Sequence, residues 1–377
     1  MSASPKLLYF VTEDWCFCSH RLPLAIAAQH AGYDVTVVTR VSKHGELIRS
    51  YGLKLIHIEF SRRSLNPFKE LGVVLKLLSI YREQKPDIVH HVALKPVLYG
   101  AIAARLAKVP AVVNALAGLG FLFISTHWHA RMLRSLVETA FCLLLNRPKS
   151  RVILQNPDDM TLLIGRGVVL AERALLIRGS GVDITQFHPV PEIDGLPLVV
   201  LASRMLWDKG VAEFVEAARI LKAQGIAARF ALVGEGDSDN PSSISGGQLS
   251  QWQDEGVIEW WGQRDDMPQV LAASHVVCLP SYREGLPKVL IEAAACGRPI
   301  VATDVPGCRE IVQDGQNGFL VPVRDVSALV TAMRQLIENA PLRNFMGKRG
   351  REMVESEFTI EHVVCQTLAL YTELISS

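Results

Sequence analysis

Short apolar runs rich in Val, Ile and Leu alternate along the chain with longer stretches whose apolar positions recur at helical spacing. In the first half the runs occupy residues 6–11, 34–39, 54–58, 87–90, 111–114 and 151–154, with helical patterns at 22–31, 68–83 and 97–107 between them. In the second half they occupy 197–203, 228–234, 258–260, 275–279, 299–303 and 318–321. Runs this short and this continuously apolar fit strands buried on both faces. Strand–helix alternation predicts parallel sheets with right-handed crossovers, and here it occurs twice. The expected chain is α/β, with two doubly wound, Rossmann-like domains facing across a cleft. An N-terminal domain is expected over 1–180 and a C-terminal one over 181–360, with a final helix over 361–377 packing back on the first. Ligands of such sheets sit beyond the C-terminal strand ends, so the cleft is the expected site.

A length of 377 residues agrees with two cores rather than one, and 49% apolar residues with a globular chain. Charge adds an asymmetry that the net value of +1 hides. Up to Ser180 there are 23 Lys and Arg against 12 Asp and Glu; beyond it there are 16 against 26. Either the basic half faces an anionic surface or substrate, or the charges are scattered on solvated faces. The seven cysteines are too dispersed for a metal site and read as reduced thiols of a cytosolic protein. The apolar run 7–11 is too short for a signal peptide. Residues 109–130 carry no Asp, Glu, Lys or Arg, yet Pro110, Asn114, Gly118 and Gly120 interrupt them. They read as a strand, a glycine turn and a helix start, not a membrane span.

Candidate chemistry lies mostly in the second half. No G-x-G-x-x-G follows the first strand, which speaks against a dinucleotide-dependent oxidoreductase. The D-x-D at Asp237–Asp239 sits in a Gly, Ser and Pro-rich loop and reads as a solvated turn. "YREGLPKVLIEAAACGRPIVATD" places Glu284 just outside an expected helix and Glu292 in its second turn. Pro287 stands at the helix start and Gly297 past its end. Gly285 and Leu286 would then offer backbone N–H groups to a phosphate. Glu284 would face sugar hydroxyls or developing positive charge, and Glu292 a vicinal diol such as that of ribose. The alternative is Glu284 as a cap and Glu292 on a solvated face. "SRMLWDKG" sets Arg204 and Lys209 after a buried strand, where they are either placed to neutralise a diphosphate or ordinary surface charges.

These segments, with "LVGEGD", "LPSYREGLPKVLIEAAACGRPIVATDVPGCREIV", "DGQNGFLV" and the linker "GSGVDITQFHP", resemble the retaining glycosyltransferases of family four, whose fold is GT-B. The match is dense over about 180–325. The resemblance implies that Arg204 and Lys209 hold the donor diphosphate, that Glu284 faces the donor sugar, and that Glu292 holds the ribose. It also implies that Gly234, Gly285, Leu286 and Pro287 approach the donor, with Arg264 near the base. Of these, Glu284, Arg204 and Lys209 would act in catalysis.

The first half resembles the family more loosely. "CSHRLPLAIAAQHAGYDVTVVT" is similar to its first crossover, with Cys18 and Ser19 in place of paired glycines. "SRRSLNPF", "LKPVLYGAIAARLAKVP" and "NALAGLGFLF" look like the subset that extends polyprenyl-diphosphate-linked sugars. This implies acceptor contacts from His20, Arg21, Lys95, Asn114 and Gly118, His20 being otherwise a polar helix cap. Residues 121–151 mix Phe121, Phe123, Ile124, Trp128, Met132, Leu133, Leu136 and Val137 with Arg131, Arg134, Arg147, Lys149 and Arg151. Such a helix either lies on an anionic membrane or packs in the core.

The reading is a retaining glycosyltransferase that moves a hexosyl or N-acetylhexosaminyl group from a nucleoside diphosphate sugar, expected to be UDP-linked. The acceptor is expected to be a lipid-linked saccharide in bacterial surface polysaccharide assembly. It needs no metal or other cofactor, has no nucleic-acid partner, and works on the inner face of the cell membrane. Its rivals are a GT-B nucleotide-sugar epimerase and a non-catalytic nucleotide-sugar-binding partner.

Overall fold

A computed structural model describes residues 4–60, 66–119, 128–237 and 240–376. The chain divides into two compact units, one of residues 1–180 with 360–377 and the other of 181–359.

The first unit holds a seven-stranded parallel sheet. Its strands are β1 (Lys6–Glu13), β2 (Asp34–Arg40), β3 (Lys54–His57), β4 (Ile88–Val92), β5 (Ala111–Leu116), β6 (Ser150–Leu154) and β7 (Ala174–Leu176). Their order is β3-β2-β1-β4-β5-β6-β7, so the winding reverses between β1 and β4. The central strands are apolar because helices cover both faces; β1 buries every residue after Lys6. β7 is absent from the sequence expectation: three residues are too few to show a periodicity.

β4 carries two adjacent buried histidines, and successive strand residues point to opposite faces. His91 Nδ1 lies 2.8 Å from Asn114 Oδ1, and its Nε2 lies 3.1 Å from the Tyr81 hydroxyl. His90 Nδ1 lies 2.5 Å from the hydroxyl of Tyr371, which is also 3.0 Å from that of Tyr9. Burial pushes His91 down to about 4 and His90 well below the ordinary imidazole value, so both stand neutral in the core. Tyr371 belongs to the last helix, Ile360–Ser376, which buries Val363, Leu370 and Leu374 in the same cluster as Leu24 and Ala25.

The second unit holds a six-stranded parallel sheet. It comprises β8 (Leu198–Ala202), β9 (Arg229–Val233), β10 (Glu259–Trp260), β11 (Val276–Leu279), β12 (Ile300–Thr303) and β13 (Gly318–Val321). The order β10-β9-β8-β11-β12-β13 puts its reversal between β8 and β11. Among the described residues no helix is long and apolar enough to cross a membrane. Of the uncharged stretch 109–130, residues 111–116 form β5 and the helix Trp128–Leu145 begins near its end; residues 120–127 lie outside the described residues.

Candidate functional site

β8 and β11 flank the reversal in the second sheet, and the chain leaving each strand carries the residues singled out by sequence. After β8 come Ser203 and Arg204, a short turn over Trp207–Lys209, and Gly210 in the left-handed region at φ 70°. A Cβ on Gly210 would stand 2.1 Å from the Pro280 carbonyl oxygen, so only glycine lets this turn lie against the chain leaving β11. The Tyr282 N–H donates to the Asp208 carbonyl at 2.9 Å, fastening the two loops together. The contact brings Lys209 Nζ to 2.5 Å from Glu284 Oε1, across 75 residues of sequence. Ser281 Oγ donates to the same carboxylate oxygen at 2.6 Å, and Thr303 Oγ1 donates to the Ser281 carbonyl.

The loop after β12 closes a third side. Gly307 N–H reaches the Glu284 carbonyl at 3.4 Å, and a Cβ on Gly307 would stand 2.4 Å from the Gly285 carbonyl oxygen. The helix itself begins at Lys288, with Pro287 as its N-cap residue. Pro287, expected in the first turn, is therefore the residue before it, and Gly285 and Leu286 lie in the approach to the helix. Neither glutamate caps this helix, since Pro287 holds that place without a side-chain bond.

Glu292 is buried and lies 2.9 Å from Lys288, one turn back on the same face. Burial raises its carboxyl above the ordinary range, with the Lys288 ammonium pulling the other way. Arg204 Nη1 lies 2.7 Å from Asp237 Oδ2, and the arginine side chain remains 44% exposed. That carboxylate belongs to the D-x-D; the rest of the motif, 238–239, lies outside the described residues. Gly234 sits at φ 130°, where a Cβ would stand 1.9 Å from the Ser203 carbonyl oxygen, so β9 ends hard against the chain leading to Arg204. Arg264 is held within its own loop by Asp266, through Nε at 2.7 Å and Nη2 at 2.5 Å.

Sequence reading missed Ser281 and Tyr282. Ser281 orients Glu284, while the Tyr282 hydroxyl donates to Glu213 at 2.7 Å and its ring lies 4.4 Å beneath the Arg324 guanidinium. Only the adjacency of Ser281 to the glutamate signals either one.

In the first unit the acceptor expectations scatter. Asn114, expected at the acceptor, is fully buried and bonded to His91, with its Nδ2 donating to Ser150 Oγ at 3.3 Å, so it stands as a core group. Arg21 is 4% exposed, donates to the His20 carbonyl at 3.3 Å and sits with Tyr9 and Tyr371, where burial lowers its pKa. It too is an interior group. His20 is the last residue of the helix Asp14–His20 and so caps no helix start; its Nδ1 is 3.5 Å from Ser180 Oγ. Lys95 follows β4 and lies 3.3 Å from Glu70, and Gly118 follows β5 at φ 136°. The residues after β1 form a different constellation. Arg40 lies 2.6 Å from Glu13, which also accepts from the Trp15 indole, and Asp14 accepts from Ser42 and His44.

On the helix Trp128–Leu145, Val137 and Phe141 face the core while Met132, Leu136 and Leu143 are exposed beside Arg131. Phe121, Phe123 and Ile124 lie outside the described residues, and so does the side chain of Trp128.

Comparison with known proteins places each unit separately. Residues 6–147 match the family described as glycosyl transferase 4-like, and residues 196–339 match glycosyl transferases group 1. The chain is 29% identical over 373 residues to a Campylobacter jejuni N,N'-diacetylbacillosaminyl-diphospho-undecaprenol alpha-1,3-N-acetylgalactosaminyltransferase, covering 95% of this chain and 96% of the relative. It is 26% identical to an Escherichia coli UDP-Gal:alpha-D-GlcNAc-diphosphoundecaprenol alpha-1,3-galactosyltransferase, covering 83% and 82%. Among solved structures, Anabaena HepE in complex with UDP superposes with a TM-score of 0.78 at 20% identity, covering 98% of this chain and all of that one. Sucrose-phosphate synthase from Thermosynechococcus elongatus gives 0.81 at 21%, covering 99% of both. The fold is GT-B.

Proposed function

The chain is a glycosyltransferase matched in both halves by glycosyltransferase families, and we propose that it moves a sugar, with retention, from a UDP-sugar to a hydroxyl of a lipid-linked saccharide. One observation carries the chemistry: Arg204, Lys209 and Glu284 all leave the two strands at the reversal of the second sheet, with Glu292 on the helix that follows. Such reversals are where doubly wound sheets bind ligands. UDP in a structural neighbour and undecaprenol-diphosphate substrates in two relatives support the choice of donor and acceptor.

In the reaction the bond from the anomeric carbon to the diphosphate oxygen breaks and a bond to the acceptor oxygen forms on the same face. The acceptor proton passes to the departing diphosphate. Negative charge builds on that diphosphate, and Lys209 and Arg204 turn from Glu284 and Asp237 to meet it. Preorganised cations of this kind supply the stabilisation without a metal. Glu284, released from Lys209, faces the positive charge developing on the sugar ring, and Glu292 accepts from the ribose hydroxyls.

The exposed Met132, Leu136 and Leu143 with Arg131 and Arg134 suit the inner, anionic face of a membrane, where a lipid-linked acceptor is met. Incubating the protein with a panel of nucleoside diphosphate sugars and a polyprenyl-diphosphate-linked saccharide tests the proposal. Transfer from a UDP-sugar with an α-linkage is the expected outcome. An epimerised donor with no transfer would overturn it.

A further inference from the structure

Tyr282 stands two residues before Glu284 and is fastened at both ends to the segment that carries Lys209. Its N–H donates to the Asp208 carbonyl at 2.9 Å, and its hydroxyl donates to Glu213 Oε1 at 2.7 Å. Asp208 precedes Lys209 in the chain, and Glu213 follows it in the first turn of the helix Val211–Ala223. The tyrosine therefore brackets the lysine, and the ion pair between Lys209 and Glu284 closes the ring of contacts. Outer hydrogen bonds of this kind are what hold reacting groups to a fraction of an ångström.

Glu213 is kept in this position against a penalty. Its Oε2 is buried and has no hydrogen-bond partner among the described residues, which an apolar side chain would avoid. The helix N-terminus offsets part of the penalty by favouring negative charge in the first turn. Burial raises the Tyr282 phenol above its ordinary value, the Glu213 carboxylate adds to the rise and Arg324 opposes it. The hydroxyl keeps its proton and remains the donor.

Arg324 is the second, independent observation. It lies in the turn after β13 at φ 62°, a left-handed conformation that strains most side chains and suits glycine or asparagine. The next residue, Asp325, caps the helix Val326–Glu338 by accepting from the Ala328 N–H at 2.9 Å, so the turn is needed to start that helix. The turn asks for no arginine. What the arginine adds is a guanidinium 4.4 Å from the centre of the Tyr282 ring, within cation–π range. Two side chains from separate elements, each unfavourable where it stands, thus converge on one tyrosine.

We propose that Tyr282 is a positioning residue for the transfer step, holding the Glu284 loop in place once the donor has opened the Lys209–Glu284 pair. While that pair is closed, it ties the two loops by itself. When a diphosphate takes the ammonium, the tie is lost at the moment Glu284 has to stand at the sugar ring. The bonds from Tyr282 to Asp208 and Glu213 do not involve the ammonium and persist, with Arg324 clamping the ring. Ser281 orients the carboxylate itself, and Tyr282 fixes the loop that carries it. The inference rests on the transferase reading above and adds the group that acts through Glu284.

Two rates with a UDP-sugar test it, transfer to a polyprenyl-diphosphate-linked saccharide and hydrolysis without acceptor, alongside UDP affinity by calorimetry. Tyr282→Phe and Glu213→Leu should each lower kcat by roughly tenfold or more in both assays, the scale of a small misplacement, with UDP affinity unchanged. Glu213→Gln keeps an acceptor for the hydroxyl and should restore most of the rate. The double variant Tyr282→Phe, Glu213→Leu should be no slower than the slower single one, since both open the same bond. Arg324→Gly relieves the left-handed strain, so it should melt close to wild type and still lose turnover. Wild-type kcat in Tyr282→Phe, or losses that multiply in the double variant, would overturn the inference and leave the transferase reading standing. So would a fall in rate matched by the fall in UDP binding or in folded protein. Cleavage of no UDP-sugar by the wild type would overturn both.

Discussion

Lys209 Nζ lies 2.5 Å from Glu284 Oε1, and both side chains are largely withdrawn from water, with 20% and 10% of their surfaces exposed. The pair joins the loops after β8 and β11. In the proposed reaction a diphosphate would compete with Glu284 for the ammonium, and donor binding would free the carboxylate for the sugar. The same logic applies more weakly to Arg204 and Asp237, where the arginine is nearly half exposed and solvent screens the pair.

Arg204→Ala and Lys209→Ala should each weaken donor binding and lower turnover by roughly 10²-fold or more, the scale of losing one preorganised charge stabiliser. The melting point should shift little in Arg204→Ala, whose pair is screened by solvent, and fall in Lys209→Ala, which leaves the withdrawn Glu284 carboxylate without its cation. Calorimetry with UDP and initial rates check this; wild-type rates in both variants would remove the diphosphate assignment.

Glu284→Gln and Glu292→Gln should separate binding from chemistry. The first removes charge beside the reacting sugar and should lower kcat with little change in donor affinity. The second removes the charge that holds the ribose and should mainly raise the donor KM. Their stabilities give an independent check. Burial raises the Glu292 carboxyl, so the folded state holds its proton to higher pH than the unfolded chain, and ionisation at neutral pH costs stability. Glu292→Gln should therefore melt no lower than wild type at pH 7, although Lys288 loses its partner. Swapped kinetic signatures would reverse the donor along the helix.

Vesicles rich in anionic lipid should bind the protein, and salt should release it, since the attraction is screened over about 8–10 Å. Charge reversal at Arg131 and Arg134 should lower binding in a flotation assay and leave donor affinity unchanged. Equal binding to neutral vesicles would remove the electrostatic part of this surface.

Acid should destabilise the first unit through β4. His91 is held neutral down to about pH 4, whereas the unfolded chain takes up its proton near 6.5, so stability falls as pH drops through that window. The loss from His91 alone is on the order of 3 kcal/mol, and His90, depressed by burial and by Arg21, adds to it in the same direction. Urea midpoints between pH 4 and 7 should slope upward with pH, and His91→Gln should flatten the curve. An unchanged slope in that variant would assign the acid sensitivity elsewhere.

The sequence by itself determined the two parallel sheets. Their buried strands are continuous apolar runs, and turn residues such as Gly297 mark where the runs must end; β13 lies over the residues the pattern names. It also brought Arg204, Lys209, Glu284 and Glu292 forward as candidates, because a resemblance dense enough to point to single residues covers that half. Tertiary structure alone decided which of the polar residues face the interior. Asn114 and Arg21 look like ligand contacts in the chain, and only the arrival of His91, Ser150 and the helix bearing Tyr371 turns them into core groups. The pairing of Lys209 with Glu284 was equally hidden, since it depends on Gly210 lying against Pro280. Periodicity reports which side of one element is apolar; what stands opposite is fixed when loops distant in sequence pack together, and no local pattern records that.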